Sequence, residues 1–526
     1  MPYILFTVCL LLYVYPFMRL LHCPGDEGTF AYGAVRVTEG QVPLRDFFEV
    51  NGPGVFYWLA LFFKMFGATV STTRVSLAFT TILIALVTYF LTRRLNTRYA
   101  SLPAALVLAT GFGPAWPAIS HHHDSNLFAL LAFAALLHWL DTGRPASLVV
   151  SGVLAGVTTC FLQPKGVFLF LSFLVLICLL PGRAPRLRSI LWLTGAYLAV
   201  GFVVTLFYWR VGGLTGLLYA NVVFPLKQYG EVNSVPYAYC IKNWYWSHWV
   251  SGLDAVAPHG VSVAIASALV IPFLFVAAVP GVCGAIGMSY RRVAFNSTVL
   301  PYWMSGAAIW LSEIHRRDIT HLVHGSTLLI ILCFYFLAQQ RNQFFVHSFQ
   351  IICICVFSLA LFNWFTVLAA AGNKIVTRRG TYYAASPDPI IDFLDAHVAP
   401  QQEIFVYPYS PMYYFLTATR NPTPFSILMY GINTDAQFHD AVEYLDKSRV
   451  RYVVWDHDFE KDVKEAFPAY EAPPEGQLIM EPYLTRHYHL VQHVQGIDIL
   501  ERDQNPIENS FKRRDALAIC DVSITR

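Results

Sequence analysis

The stretch HCPGDEGTFAYGAVRVTEGQVPLRDFFEVNGPG, residues 22 to 54, follows directly on the apolar run MPYILFTVCLLLYVYPFMRLL, residues 1 to 21. It places Asp26, Glu27, Glu39, Asp46 and Glu49 immediately behind a hydrophobic segment. The chain around it has 526 residues, is 56% hydrophobic, 15% aromatic and only 13% charged, with a mean hydropathy of +0.48. That is too apolar for a soluble protein of this size and assigns the chain to a membrane. The net charge of +3 is spread along the chain and leaves no clustered basic footprint for nucleic acid.

The acids are unevenly distributed. Residues 1 to 374 hold 11 of the 33, and the other 22 lie in residues 375 to 526. The sequence therefore divides into a membrane part, 1 to 373, and a water-soluble tail, 374 to 526. The opening run has neither a basic n-region nor a small-residue cleavage site and reads as a retained first span. Among the ten cysteines, Cys160, Cys178, Cys283, Cys333, Cys353 and Cys355 sit in or beside apolar runs as small hydrophobes, and no metal-type CxxC pair occurs.

A bilayer span needs about 20 mostly apolar residues. On that rule roughly eleven spans are expected, near 3–21, 73–92, 99–117, 125–140, 146–162, 166–181, 189–209, 261–285, 298–313, 321–339 and 346–370. With a cytoplasmic N-terminus, the inside loops collect Arg93, Arg94, Arg98, Arg144, Arg183, Arg186, Arg188, Arg291, Arg292 and Arg341 against one acid, Asp141. The other face receives ten of the eleven acids of the membrane part, together with the tail. This predicts a multi-pass protein of the cytoplasmic (inner) membrane with its C-terminal domain extracytoplasmic.

Four outer-face segments carry polar chemistry. In the first, the spacing predicts a short helix from Asp26, with an apolar side that can lie on the membrane surface, closed by Gly40 and Pro43. Asp26 is a candidate base there, and helix N-capping is the competing role. The second, residues 111 to 126, places His121, His122, His123 and Asp124 at the end of a span. Consecutive histidines diverge by about 100° on a helix, which suits polar capping of the helix end or contact with a substrate hydroxyl or phosphate better than a shared zinc ion. In the third, Lys165 is a lone cation between two tight spans, suited to bind an anionic headgroup, with a snorkelling anchor as the alternative. The fourth, SEIHRRDITHLVH at 312 to 324, packs Glu313, His315, Arg316, Arg317, Asp318, His321 and His324 between apolar runs. Paired guanidinium donors match phosphate oxygens, with internal pairing to Glu313 and Asp318 as the alternative. A carboxylate that can deprotonate a hydroxyl, facing cations that can hold a departing phosphate, describes glycosyl transfer from a phosphate-linked donor.

The first loop also resembles that of the GT-C membrane glycosyltransferases, the group holding the protein O-mannosyltransferases and lipid A aminoarabinose transferases (bacterial glycosyltransferase family 39-like). The shared pattern is Asp26-Glu27, Phe30, Ala34, Gly40 to Pro43, Asp46, Pro53 and Tyr57-Trp58. Gly52-Pro53 stands where the aminoarabinose enzymes have Lys-Pro, and the large inserted domain usual in protein O-mannosyltransferases is missing, which points to the broad bacterial set. The resemblance implies a GT-C fold of about 11 transmembrane helices with a C-terminal soluble α/β domain. It implies an inverting hexosyl or pentosyl transfer from a polyprenyl-phosphate sugar donor, amid membrane lipids, to a lipid, glycan or protein acceptor. By motif position Asp26 and Glu27 would be catalytic, Asp26 as the carboxylate and Glu27 as the neighbour shaping the acceptor or metal environment. The resemblance also implies donor-phosphate contacts at Lys165, Arg316 and Arg317, and Asp46, His122, His123 and His321 are candidates for contacting the acceptor or lining the cavity. A divalent cation, Mg or Mn, shared by Asp26 and Asp46 is left open.

In the tail, SPDPIIDFLDAHV and DAQFHDAVEYLDKSR read as helices, and EIFVYPYS, VRYVVWDHD and GIDILERD as strands, an alternation that predicts a small α/β domain with a parallel core. Tyr407 to Tyr409, at a strand end, could stack on an acceptor glycan, although core packing is the usual role of such aromatics. A flippase for a lipid-linked glycan precursor is the rival function. It would favour inverted repeats and helices broken at the midplane, which the sequence does not display.

Overall fold

A computed structural model describes residues 2–21, 25–95, 100–112, 117–180, 185–227, 232–289, 298–340 and 342–503. Arg98, Arg183, Arg291, Arg292 and Arg341, which entered the reading above, lie outside the described residues.

A helix stands at each of the eleven expected spans, but their lengths differ. Val70–Arg94, His121–Thr142, Arg186–Arg210, His259–Ala285, Ile319–Gln339 and Gln343–Ala370 are long and apolar enough to cross a membrane. Ser101–Gly111, Pro145–Phe161, Gln163–Leu179 and Leu300–Ser312 are shorter. At about 1.5 Å rise per residue a 17-residue helix covers about 25 Å, less than the roughly 30 Å hydrocarbon layer. Prolines contribute to the shortness. Pro164 starts a new helix after the extended Leu162, and Pro145 opens the one before it.

Packing grades from core to lipid. Ile319–Gln339 is enclosed by its neighbours, with 78% of its apolar window buried, whereas Arg186–Arg210 has 6%. The second helix is held where Gly152 and Gly156, spaced four apart, let backbones approach. A Cβ at Gly152 would sit 2.6 Å from the Leu193 carbonyl oxygen, and one at Gly156 2.8 Å from Val200 Cβ.

The tail opens with an antiparallel hairpin of β1 (Asn373–Thr377) and β2 (Gly380–Ala384). A four-stranded sheet follows, formed by β3 (Phe405–Tyr407), β4 (Tyr452–Asp456), β5 (Tyr488–Val494) and β6 (Ile497–Arg502), in the order β3-β4-β6-β5. The expected parallel core is restricted to β3 and β4, since β6 runs antiparallel to both of its neighbours. The β5–β6 pairing follows from the Gln495-Gly496 turn, where both residues have positive φ (47° and 80°), the backbone twist a tight hairpin requires.

Tail and helices share one apolar core. Phe30, Phe47, Phe56 and Phe63 of the first loop region join Ile390, Ile391, Leu394, Tyr414 and Phe415 of the tail in a single cluster. Val70 N–H donates to the Arg379 carbonyl at 2.8 Å, and Phe48 N–H to the Pro424 carbonyl at 2.9 Å. The helix Asp26–Thr38 therefore does not float on a membrane surface as expected. Every residue from Glu27 to Val37 is buried, because the tail covers the side that the sequence pattern assigns to solvent.

Candidate functional site

The four polar segments meet at one end of the helical bundle. Asp26 is the first residue of its helix, with Gly25 at the N-cap and no side-chain cap, so the N-capping role does not apply. Its Oδ1 instead accepts a hydrogen bond from the Tyr409 hydroxyl of the tail at 2.5 Å. Asp26 stays partly exposed between buried neighbours. Glu27, one residue on and so rotated by about 100°, points inward and pairs with Arg74. Both side chains are buried, and Arg74 also donates to the Pro117 carbonyl at 2.9 Å. Sequence reasoning passed over Arg74 because it sits inside an expected span, yet a charge there is itself the signal.

Asp46 is a loop staple. It accepts from Arg45 (2.8 and 2.6 Å) and from Val42 N–H (2.6 Å). The Arg45 hydrogen bonds, aided by the Val42 amide, hold its carboxyl below the usual range. The carboxylate that shares its field with Asp26 is Glu49, which is fully buried. Burial pushes the Glu49 carboxyl up to about 8, the Asp26 charge adds to this, and Ser426 and Arg36 offset only part. Among the described residues no group of three or more His, Cys, Asp or Glu side chains is arranged to hold a metal ion.

The second, third and fourth segments form a buried polar cluster. Lys165, fully buried in the first turn of Gln163–Leu179, forms an ion pair with Glu313 Oε1 at 2.7 Å and donates to Ser125 Oγ at 3.2 Å. His122 Nδ1 lies 3.3 Å from Glu313 Oε2. Ring contacts connect His122 to His121 and His321 (4.1 and 4.4 Å between centroids), His123 to His324 (4.4 Å), and His121 to Phe30 of the helix Asp26–Thr38 (5.7 Å). His123 Nε2 is 3.1 Å from the Gly111 carbonyl. Asp318 caps Ile319–Gln339 through His321 N–H and also meets His321 Nδ1 at 2.6 Å.

The two adjacent arginines differ. Arg316 donates through all three nitrogens, to Asp318 (2.7 Å), Asn233 (2.9 Å) and the Ala466 carbonyl of the tail (3.0 Å), and lies over the Phe467 ring. These contacts make Arg316 a strut between segments. Arg317 keeps a buried Nε with no hydrogen-bond partner among the described residues.

No protein-family model matches the chain. No curated protein matches it either. Solved structures do. The crystal structure of ArnT from Cupriavidus metallidurans bound to undecaprenyl phosphate is 11% identical over 96% of this chain and 98% of its own, with a TM-score of 0.57. AglB, an archaeal oligosaccharyltransferase from Archaeoglobus fulgidus in complex with an inhibitory peptide and a dolichol-phosphate, is 12% identical over 95% of this chain and 74% of its own, with a TM-score of 0.49. The arabinofuranosyltransferase AftD from Mycobacteria is 12% identical over 95% of this chain and 40% of its own, also at 0.49. The chain has the GT-C fold and is a multi-pass membrane protein.

Proposed function

We propose that this protein is a membrane glycosyltransferase that moves a sugar from a polyprenyl-phosphate donor to a lipid, glycan or protein acceptor on the outer face of the cytoplasmic membrane. The observation that carries the reading is the gathering of a partly exposed carboxylate, Asp26, and the cations Arg317 and Lys165 at one end of the bundle. The fold it shares with an ArnT structure holding undecaprenyl phosphate supports the donor class.

In this reading Asp26 takes the proton of the acceptor hydroxyl. The freed oxygen bonds to the anomeric carbon from the face opposite the phosphate, the carbon–oxygen bond to phosphate breaks, and the sugar is inverted. The charge that develops on the departing polyprenyl phosphate is met by Arg317, whose Nε is unspent, and by Lys165. Of the three N–H donors on Lys165, Ser125 takes one, while Glu313 pairs with its charge. Glu27 holds the helix under Asp26 through Arg74 and does not touch substrate, and Arg316 ties the 312–324 segment to the tail. His122, His123, His321 and Asp46 shape the cavity walls. Residues 374–526 act as an extracytoplasmic domain that closes the site from above.

The test is reconstitution of the purified protein in vesicles with radiolabelled polyprenyl-phosphate sugars. Wild type is expected to transfer or hydrolyse the donor, and Asp26→Asn to lose that activity. Full activity in Asp26→Asn removes Asp26 from the chemistry, and no turnover across a panel of hexosyl and pentosyl donors overturns the transferase reading.

A further inference from the structure

The C-terminal domain reaches the proposed base directly. Tyr409 lies 383 positions from Asp26 in sequence, and its hydroxyl donates to Oδ1 at 2.5 Å, the separation of a charge-assisted O–H···O hydrogen bond. We propose that Tyr409 is a positioning residue for the transfer reaction: it fixes Asp26 through Oδ1, so that the second carboxylate oxygen faces the acceptor hydroxyl. The proposal rests on the glycosyltransferase reading above.

Three features support a built contact. The chain on either side of Asp26 and Glu27 is glycine, and the tail fills the space that side chains would take. A Cβ at Gly25 would lie 2.6 Å from Tyr409 Cε1, and one at Gly28 2.3 Å from the Met412 backbone nitrogen. Second, the tail segment that follows Tyr409 is clamped along the same helix beyond the hydrogen bond. Asn421 N–H donates to the Tyr32 hydroxyl at 2.8 Å, the Tyr32 and Tyr414 rings meet at 4.9 Å, and Arg420 pairs with Glu39 at 3.2 Å. The phenol is thus delivered by a fixed surface and not by a swinging loop. Third, the Asp26 carboxylate makes no other side-chain hydrogen bond among the described residues, which leaves Tyr409 as the group that sets its direction.

The chemistry follows from this geometry. A base must approach the proton it removes to about 2.6–3.2 Å, and a displacement of about 1 Å costs on the order of 100-fold. A neutral phenol donates its proton to a carboxylate without competing for the acceptor's proton, since its own is lost only near pH 10. Loss of the hydroxyl frees Asp26 to rotate while the domain stays seated on its aromatic contacts.

The decisive comparison is Tyr409→Phe, which keeps the ring, in the full-length protein reconstituted with a polyprenyl-phosphate sugar. The expected result is a fall in kcat of about 10- to 100-fold, with donor and acceptor KM and the thermal midpoint unchanged. Replacement of Tyr409 by 4-aminophenylalanine, which restores an N–H donor on the same ring, is expected to recover most of kcat. Wild-type kcat in Tyr409→Phe, or a kcat loss that tracks a fall in thermal midpoint and is not recovered by the amino variant, overturns the proposal. Active wild type with inactive Asp26→Asn keeps the underlying reading intact whichever way Tyr409 behaves, whereas an inactive wild type removes both.

Discussion

The helix Val70–Arg94 carries an ion pair at each end, and the two are solvated in opposite ways. At its C-terminal end Arg94 bridges to Asp141, with side chains 34% and 46% exposed. Some 20 residues and about 30 Å away, Arg74 meets Glu27 with both side chains almost fully buried, and Lys165 meets Glu313 in the same condition. An exposed pair contributes about 0.2–1 kcal/mol, while a buried pair costs several kcal/mol per ion in desolvation that its attraction only partly returns. The Asp26 end therefore sacrifices stability that the Arg94 end does not, and the sacrifice falls where the proposed chemistry lies.

The sharpest separation of the two ends concerns activity. Asp26→Asn is expected to lower transfer by about 100- to 10,000-fold, the usual span for removal of a positioned base. The thermal midpoint should not move, because Asp26 is partly exposed and the amide oxygen can still accept from Tyr409. Equal losses of activity and stability would instead mark Asp26 as a structural residue.

The second break is energetic. Lys165→Met leaves Glu313 as a buried charge without its cation and is expected to destabilise the protein by about 3–5 kcal/mol, read from thermal or denaturant unfolding in detergent. The double variant Lys165→Met with Glu313→Leu is expected to recover most of that stability and none of the turnover. Recovery of turnover in the double variant would show that the pair serves the fold alone.

Glu49 adds a third way to bury a carboxyl, neutralisation without a partner ion. Its folded-state value near 8 lies above the ordinary value of 4.5, so between those limits the folded protein holds a proton that the unfolded chain releases. Stability is therefore expected to fall as pH rises from about 4.5 to about 8 and to level off above. Arg36, Asp26 and Ser426 are the groups around it, and Glu49→Gln removes the titration while keeping the shape. Thermal midpoints measured from pH 5 to pH 9 should fall less in Glu49→Gln than in wild type, and parallel curves would place the Glu49 titration elsewhere.

The apolar runs were readable because a span must satisfy its own backbone, and each of them coincides with a helix. Helix lengths were less readable, since Pro145 and Pro164 trade span length for a tight pair of turns. The first loop's acids and the later cations could be picked out one by one from the charge pattern. Their partners could not, since no sequence period encodes that Asp26 meets a tyrosine 383 residues on or that Glu27 meets Arg74. The amphipathic pattern of Asp26–Thr38 reports polarity alone, and the tail that covers the polar side enters only through tertiary packing. In the same way strand identity in the tail was legible, but strand direction was not, because the turn at Gln495-Gly496 that pairs β5 with β6 depends on two positive φ angles outside the alternating pattern.

The smallest expected effect tests the other end of the comparison. Arg94 and Asp141 link Val70–Arg94 to His121–Thr142 across a groove with an apolar floor that includes Val87, Leu91 and Leu137. Because water solvates both charges, Arg94→Ala should cost no more than about 1 kcal/mol and leave turnover at the wild-type level. High salt should weaken the wild-type pair and so narrow the difference between the two proteins, since exposed charges are screened within about 10 Å at 0.1 M ionic strength. A cost of 3 kcal/mol or more, or one insensitive to salt, would show that the lipid interface desolvates this pair as thoroughly as the protein desolvates Glu27 and Arg74. The two ends would then differ in partners and not in solvation, and the case for a functional sacrifice at the Asp26 end would rest on the turnover measurements alone.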